Sequence, residues 1–547
     1  MTQMQMAAPR GLDLADIQGN ILRPYGRFGF PFTRHMFFNI TDAAAGRCFI
    51  ERLRGQVTTA ERWRNVDDGP DSNAPERPAV AMNIGFTFLG LLALNLPTLT
   101  LAALPDEFID GMAARSEILG DTGVSAPENW DEIWRQARLV TDRRVHIWVS
   151  LNAQAKPDGT PADDLDTQTQ WVTDQMPAGI TLLSGHKGPT PNYQDSAAIM
   201  ATTADGTVYP TPKEHFGFTD GIGDPVFAGQ YEPEVEAIAV IGSGKLLPGG
   251  GWSPLATGEF MLGHVNEAQE LPPAPQPWLF TRNGTFMAYR KLHENVAAFN
   301  AYITAQAQTL ESVPDPAAAA DTIKAKMVGR WPNGLPVELV PTYKEALDLA
   351  ALWADIPGIY AKPSAQRTAA EKNRLTEYEV LITNFTYTGD TEGQKCPFGA
   401  HIRRANPRDA LDPLFATATV TPGSALTNRR RILRRGMPYG ACIPDDASEH
   451  GVIFMALCAN LFNQFEFIQQ QWIQYGSSFN LGNDADPLIG RHDPGAKFVI
   501  PTDPAKPGVP HFCANLPQFV ETRGGEYFFL PSLTALRMIA QGSTDPT

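Results

Sequence analysis

Long apolar runs are missing from this chain of 547 residues. No stretch of about 18 apolar residues occurs, so no membrane-spanning helix is expected. Cysteine is scarce: the five are Cys48, Cys396, Cys442, Cys458 and Cys513. They are scattered, odd in number and form no CxxC pair, which argues against a disulfide scaffold and a structural zinc site. Positive charge is not in excess either. A formal net charge of −16 argues against general nucleic-acid binding and against an anionic membrane surface. The N-terminus, MTQMQMAAPRGLDLADIQG, has no continuous apolar core and no twin-arginine pair. No secretory signal is therefore expected, and the cytoplasm is the default location. A regular strand–helix–strand period is also lacking, which argues against a doubly wound parallel sheet.

What remains describes a globular protein long enough for two or more domains, with 43% hydrophobic and 19% charged residues. Two segments share a strand-then-helix pattern. The first is His35 to Ile40 followed by a helical run through Leu53. The second is Gly284 to Leu292 followed by His293 to Ala307. Further strands are expected at Val145 to Leu151, Ile180 to Leu183, Glu379 to Phe385 and Val452 to Cys458. Phe462 to Ile468 reads as a helix capped by Asn460. The mixture indicates an α+β fold. The proline-rich stretch Leu271 to Pro277 is the expected boundary, giving units 1–270 and 271–547.

Two basic clusters stand out against the acidic background, at 403–408 and 429–435. The first lies in Cys396 to Arg408, CPFGAHIRRANPR, with His401 beside Arg403, Arg404 and Arg408. One imidazole among guanidinium groups suits an anionic ligand that also carries a metal, as haem does. A histidine near arginines can equally be structural, and a basic run can be a solvated patch. A second segment, Glu214 to Pro225, sets Asp220 between Gly217, Gly221 and Gly223, where the backbone turns tightly and approaches a ligand closely. An aspartate beside glycine is also a common turn. The glycine spacing is not that of a dinucleotide loop, and Asp220 would repel phosphate.

Taken together these motifs resemble dye-decolorizing (DyP-type) haem peroxidases. GFTDG matches that family's GxxDG motif. CPFGAHIRRANPR resembles the segment carrying its haem-ligating histidine. Arg434, in the run Arg430 to Gly440, matches its second catalytic residue, with Arg435 as the register alternative. The order acid, histidine, arginine is also the family's. Asp16 to Leu22 resembles the family's opening segment, Lys326 to Gly334 a helix end, and Asn463 to Gln469 and Gly524 to Leu533 its closing segments. The stretch 339–375 matches nothing and reads as an insertion.

The resemblance implies two ferredoxin-like halves with antiparallel sheets and peripheral helices. It implies haem b (iron protoporphyrin IX), one per chain, which the absence of CxxCH makes non-covalent. His401 is carried over as the iron ligand, with Glu466 as the expected acceptor on its other ring nitrogen. Asp220 is carried over as the acid that accepts and returns a proton of hydrogen peroxide, best at acidic pH. Arg434 supplies fixed positive charge. Gly221, Ile222, Gly223, Asp224, Asn406 and Arg408 are expected to contact the haem. The implied activity is peroxide-driven one-electron oxidation of bulky dyes and phenolic compounds, with a surface tryptophan or tyrosine passing the electrons and a homo-oligomer as a family habit. A haem-handling protein with incidental peroxidase activity is the alternative. A non-haem metal site of His215, Asp220 and Asp224 would leave His401 unexplained.

Overall fold

The computed structural model describes residues 11–26, 29–64, 74–415, 421–441, 447–502 and 508–544. Cys442 and the first ten residues of the N-terminal segment lie outside the described residues.

Ten strands form one antiparallel sheet. Its main path runs Leu433–Arg434, Gly451–Cys458, Thr285–Glu294, Val520–Leu530, Val80–Phe86, Ile147–Ala153, Phe32–Ile40 and Ile180–Leu182. Met437–Tyr439 also pairs with Gly451–Cys458, and Gln194–Ala197 with Phe32–Ile40. The first four strands of this path come from the second half of the chain and the last four from the first half. They meet at a single paired position, Phe529 opposite Phe86.

Side-chain packing joins the halves more firmly than that pairing does. Phe37 and Trp148 from the first half meet Tyr289 and Phe528 from the second. Phe37 and Tyr289 lie edge to face with centroids 5.4 Å apart, and Trp148 lies 6.1 Å from Phe528. Each such ring pair adds about 0.5–1.5 kcal/mol beyond burial alone. All four rings are buried.

Both expected strand–helix units form. Phe32–Ile40 leads into the helix Ala43–Arg54, where the Asp42 carboxylate accepts from Ala45 N at 2.7 Å. Thr285–Glu294 leads into Val296–Ala307. The strands expected near 145–151, 180–183 and 452–458 are also present.

One expected strand is a helix. Glu379 to Phe385 lies mostly in Ala369–Thr383. Thr368 and Glu371 form a capping box that starts this helix. Leu375, Tyr378 and Ile382 then bury one helical face. The β-branched residues near 380 suggested a strand only when read without the turn upstream. The stretch 339–375 supplies two shorter helices, Tyr343–Leu352 and Ile356–Ala361, which share a core with Trp331, Leu335 and Tyr378.

The expected helix end near 326–334 positions the site. Pro316–Val328 is capped by Asp315 and stops at Gly329, whose φ is +89°. A Cβ at Gly329 would sit 2.5 Å from Ile402 Cγ1, so only glycine lets this turn lie against the His401 segment.

Candidate active site

A cavity of about 310 Å³ opens between the Asp220 loop and the His401 segment. His401 begins the short helix His401–Ala405. Its Nδ1 lies 2.9 Å from Asp486 Oδ2. An ionised carboxylate only accepts, so Nδ1 donates, and in the neutral imidazole Nε2 then keeps its lone pair. The other Asp486 oxygen accepts from Leu488 N at 2.9 Å and Ile489 N at 3.0 Å. Burial pulls the His401 pKa down, but the charge and hydrogen bond of Asp486 outweigh it and hold the pKa above its ordinary value. Burial pushes Asp486 up, and His401 with Arg404 more than reverses this. His401 keeps a quarter of its side-chain surface open even though protein surrounds it. That open surface faces the cavity.

The acid and the arginine share the same cavity. Arg434 Nη1 lies 2.5 Å from Asp220 Oδ1, and Arg434 Nη2 donates to Ile222 O at 3.1 Å. The Asp220 charge raises the Arg434 pKa against the effect of burial. The Asp220 loop is closed by Lys213 pairing with Thr219, and Asp220 N donates to Pro212 O at 2.7 Å. Thr219 N reaches across to Pro332 O at 3.0 Å, which ties the loop to the second half of the chain.

Besides Arg430, which donates to Asn463 O, three further guanidinium groups line the cavity with no carboxylate partner among the described residues. Arg330 donates to the carbonyls of Gly334 and Ile382, Arg408 to that of Phe385, and Arg431 to that of Gly223. Arg408 also lies 4.0 Å over the Phe385 ring. Among the described residues none of the three forms an ion pair. Burial lowers their pKa values to about 9, 10 and 9, so each stays cationic at neutral pH. Buried cations held only by carbonyls and ring faces call for an anionic ligand. Asn406, on the same wall, has a buried Oδ1 with no partner among the described residues. The remaining wall is largely apolar, including Val452, Phe454, Leu488 and Ile489. A free imidazole nitrogen, apolar walls and unneutralised guanidinium groups fit haem and its propionates.

Several expected placements are corrected. Glu466 does not reach His401. It is ion-paired with Arg115 at 2.5 Å and accepts from Tyr527 Oη at 2.8 Å. The segment does start at Asn460, whose side chain accepts from Asn463 N at 2.8 Å. It then winds as a π-helix over Phe462–Glu466 and Ile468–Ile473. Bonding from i to i+5 changes the angular step from that of an α-helix. Phe465, Ile468, Gln469 and Ile473 face the cavity instead.

Gly221 and Asp224 do not line the cavity, whereas Ile222, Gly223, Asn406 and Arg408 do. Asp224 braces the arginines: it accepts from Arg434 N at 2.9 Å and pairs with Arg435 at 2.7 Å. Arg435 is thereby engaged outside the cavity, which favours Arg434 in the register. Arg403 is buried against Asp390 at 2.8 Å, and Arg404 donates to the carbonyls of Trp472 and Asp484. Of the three arginines near His401, only Arg408 faces the cavity. His215 Nε2 contacts Tyr439 O at 3.0 Å, and no metal-holding group of three or more His, Cys, Asp or Glu occurs among the described residues.

Comparison with known proteins agrees with this geometry. Residues 16–153 match the model of the DyP dimeric alpha+beta barrel domain, and residues 415–484 that of the Dyp-type peroxidase C-terminal region. Peroxidase 2 of Mycetinis scorodonius is 28% identical over 97% of this chain and 88% of its own. The multifunctional dye peroxidase DyP2 of Amycolatopsis sp. is 26% identical over 96% of each. A fungal DyP-type peroxidase structure from Auricularia auricula-judae superposes with a TM-score of 0.66 at 25% identity, over 97% of this chain and 99% of that one.

The two domain models and the near-full-length relatives support a DyP-type peroxidase.

DyP-type peroxidases are haem b oxidoreductases that use hydrogen peroxide. The residue that sequence reasoning missed in this DyP-type chain is Asp486. Its local signal is weak: an Asp-Pro-Leu-Ile turn in which the carboxylate caps two following N–H groups. Its partner lies 85 positions away, so only tertiary contact joins them.

Proposed function

We propose that this protein is a haem peroxidase that oxidises bulky dyes and phenolic compounds by one-electron steps. The observation that carries this is one cavity bearing the His401–Asp486 pair and the Asp220–Arg434 pair. His401 would hold the haem through Nε2, with Asp486 fixing the tautomer. Arg330, Arg408, Arg431 and Asn406 would meet the propionates or the haem edge. Haem supplies the iron redox chemistry. Asp220 takes a proton from one peroxide oxygen and returns it to the other, which becomes water. Arg434 holds the Asp220 carboxylate and places positive charge where negative charge develops.

Relatives support the substrate class: one solved neighbour is a dye-decolorizing peroxidase complexed with 2,6-dimethoxyphenol. Dyes too large for the cavity would give electrons at the surface, where Trp278 and Tyr475 are exposed. A haem-handling protein would not need the Asp220–Arg434 pair. We take residues 1–270 and 271–547 as the two halves, and assembly of copies as part of the reading. A cytoplasmic location is supported by Cys48, Cys396, Cys458 and Cys513 being free thiols. No helix among the described residues is long and apolar enough to cross a membrane.

The test is an absorption spectrum of the haem-loaded protein before and after one equivalent of peroxide at mildly acidic pH. A Soret band that changes with peroxide and returns with dye is expected. A band that ignores peroxide would favour haem handling, and no band after hemin addition would refute His401 as the ligand.

A further inference from the structure

Two acids in the cavity wall have no part in the scheme above. Glu214 and Glu294 line the cavity together with Asp220. Glu294 ends the strand Thr285–Glu294 and is buried. Among the described residues its Oε2 has no hydrogen-bond partner. Glu214 accepts from Phe216 N at 2.7 Å and Phe218 N at 2.6 Å, and its side chain lies against that of Glu294, close enough for the two carboxyl groups to share a proton. Two carboxyl groups can share a hydrogen bond only when one carries a proton. Two backbone donors at Glu214 against one, from His215, at Glu294 favour Glu214 as the carboxylate and leave the proton on Glu294.

We propose that Glu214 and Glu294 form a carboxyl pair that stores a proton beside Asp220 and supplies it during peroxide reduction.

The proposal rests on the peroxidase reading and adds a source of protons to it. Reduction of hydrogen peroxide to two waters consumes two electrons and two protons. Asp220 moves a proton from one peroxide oxygen to the other, so it adds none. An electron taken from a bulky donor at the surface arrives without a proton. Protons must then enter through the cavity wall. Glu294 gives its O–H proton through cavity water to the Asp220 carboxylate, becomes a carboxylate itself, and is reprotonated from solvent.

The surroundings favour a proton over a counter-ion. On the loop with Glu214, Lys213 is held by Thr219 and the Pro332 carbonyl, and Asp220 by Arg434. On the strand of Glu294, Lys291 is taken by Asp131 and Glu449, and Arg290 by Asp121. On the adjoining strand, Arg523 is taken by Glu521. His215 and His293, next to the two glutamates in sequence, each meet the His450 ring edge-on or tilted, with centroids 5.2 and 5.3 Å apart. Among the described residues, buried His450 has no hydrogen-bond partner on either ring nitrogen. Among the described residues neither glutamate has an ion-pair partner. Burial accordingly pushes Glu214 up to about 7 and Glu294 well above its ordinary value.

Two readouts test this. In the haem-free protein at pH 8, the infrared difference between wild type and Glu294→Gln should show the loss of one carboxylic-acid C=O band that shifts in D2O. In the haem-loaded protein, ferrocyanide serves as a one-electron donor that carries no proton. With it, kcat of Glu294→Gln should fall about tenfold at pH 7.5, and by less than about twofold at pH 4, where bulk protons are plentiful. An unchanged infrared spectrum, or an equal fall at both pH values, would overturn the proposal. If Glu294→Gln does not fold, Glu214→Gln should shift the same band, and an unshifted band would overturn the pair. A haem-loaded wild type that ignores peroxide would overturn the peroxidase reading and the kinetic role, while the infrared band would still decide the shared proton.

Discussion

Replacing Asp486 with asparagine should disable haem binding through the histidine tautomer. Asp486 is fixed by two backbone donors on Oδ1, Leu488 N at 2.9 Å and Ile489 N at 3.0 Å. In Asp486→Asn the amide oxygen must stay with those two N–H groups. Its NH2 group then points at His401 Nδ1, where the carboxylate Oδ2 accepted at 2.9 Å. Two donors cannot face each other, so the ring proton must move to Nε2, the nitrogen an iron needs. A lost hydrogen bond to a charged partner costs about 1.5–3 kcal/mol. Outer partners of ligating histidines typically change metal affinity by about tenfold to a hundredfold, the same range. Hemin titration of the haem-free protein, followed at the Soret band, measures it. The haem-free chain gives a second check. The Asp486 share of stability is present above its ordinary 3.8 and is lost as pH falls through its lowered value. The His401 share is present below 6.5 and is lost as pH rises through its raised value. The pair therefore contributes most between those ordinary values, and Asp486→Asn should flatten that maximum in a urea series. Hemin affinity within about twofold of wild type would refute the tautomer reasoning.

Glu466→Gln should bind hemin like wild type but lose about 3 kcal/mol of stability by denaturant midpoint, since it breaks a buried pair while Asp110 still partners Arg115. Weakened hemin binding at unchanged stability would restore Glu466 as the partner of His401. Asp220→Asn and Arg434→Leu should each keep the Soret band and slow the peroxide reaction about 100-fold or more in stopped flow. Loss of haem in either variant would make the residue structural. Burial pushes Glu526 up to about 7 although Met112 N and Tyr527 N donate to it. The folded chain therefore keeps a proton that the unfolded chain has lost above about 4.5, and stability falls as pH rises through that window, by at most about 1.4 kcal/mol per unit. Glu526→Gln should flatten this slope in urea midpoints at pH 5 and 7, and an unchanged slope would refute it.

Local chemistry made much of the molecule legible. Apolar runs giving way to amphipathic stretches marked the strands near 35–40 and 284–292, and both strands are buried along nearly their whole length. Thr-x-x-Glu caps and Gly329 mark helix ends through backbone groups only a few residues apart. The Asp220 and His401 motifs were legible for the same reason: each is a short segment whose turn chemistry stands in consecutive residues. The 379–385 stretch was misread because β-branched residues are compatible with both periods, and its start signal lies upstream at Thr368. The partner of His401 was not legible at all. Glu466 was the acceptor expected from the sequence, and the fold pairs it with Arg115 and brings Asp486 to His401 instead. Likewise Arg403, Arg404, Arg408, Arg434 and Arg435 look alike in sequence, yet only Arg408 and Arg434 face the cavity. The sequence by itself determined the elements, the motifs and the kind of ligand the chain needs. Which charges face that ligand was decided only by tertiary structure, because a buried charge is settled by its neighbours in space, and these lie tens to hundreds of residues away.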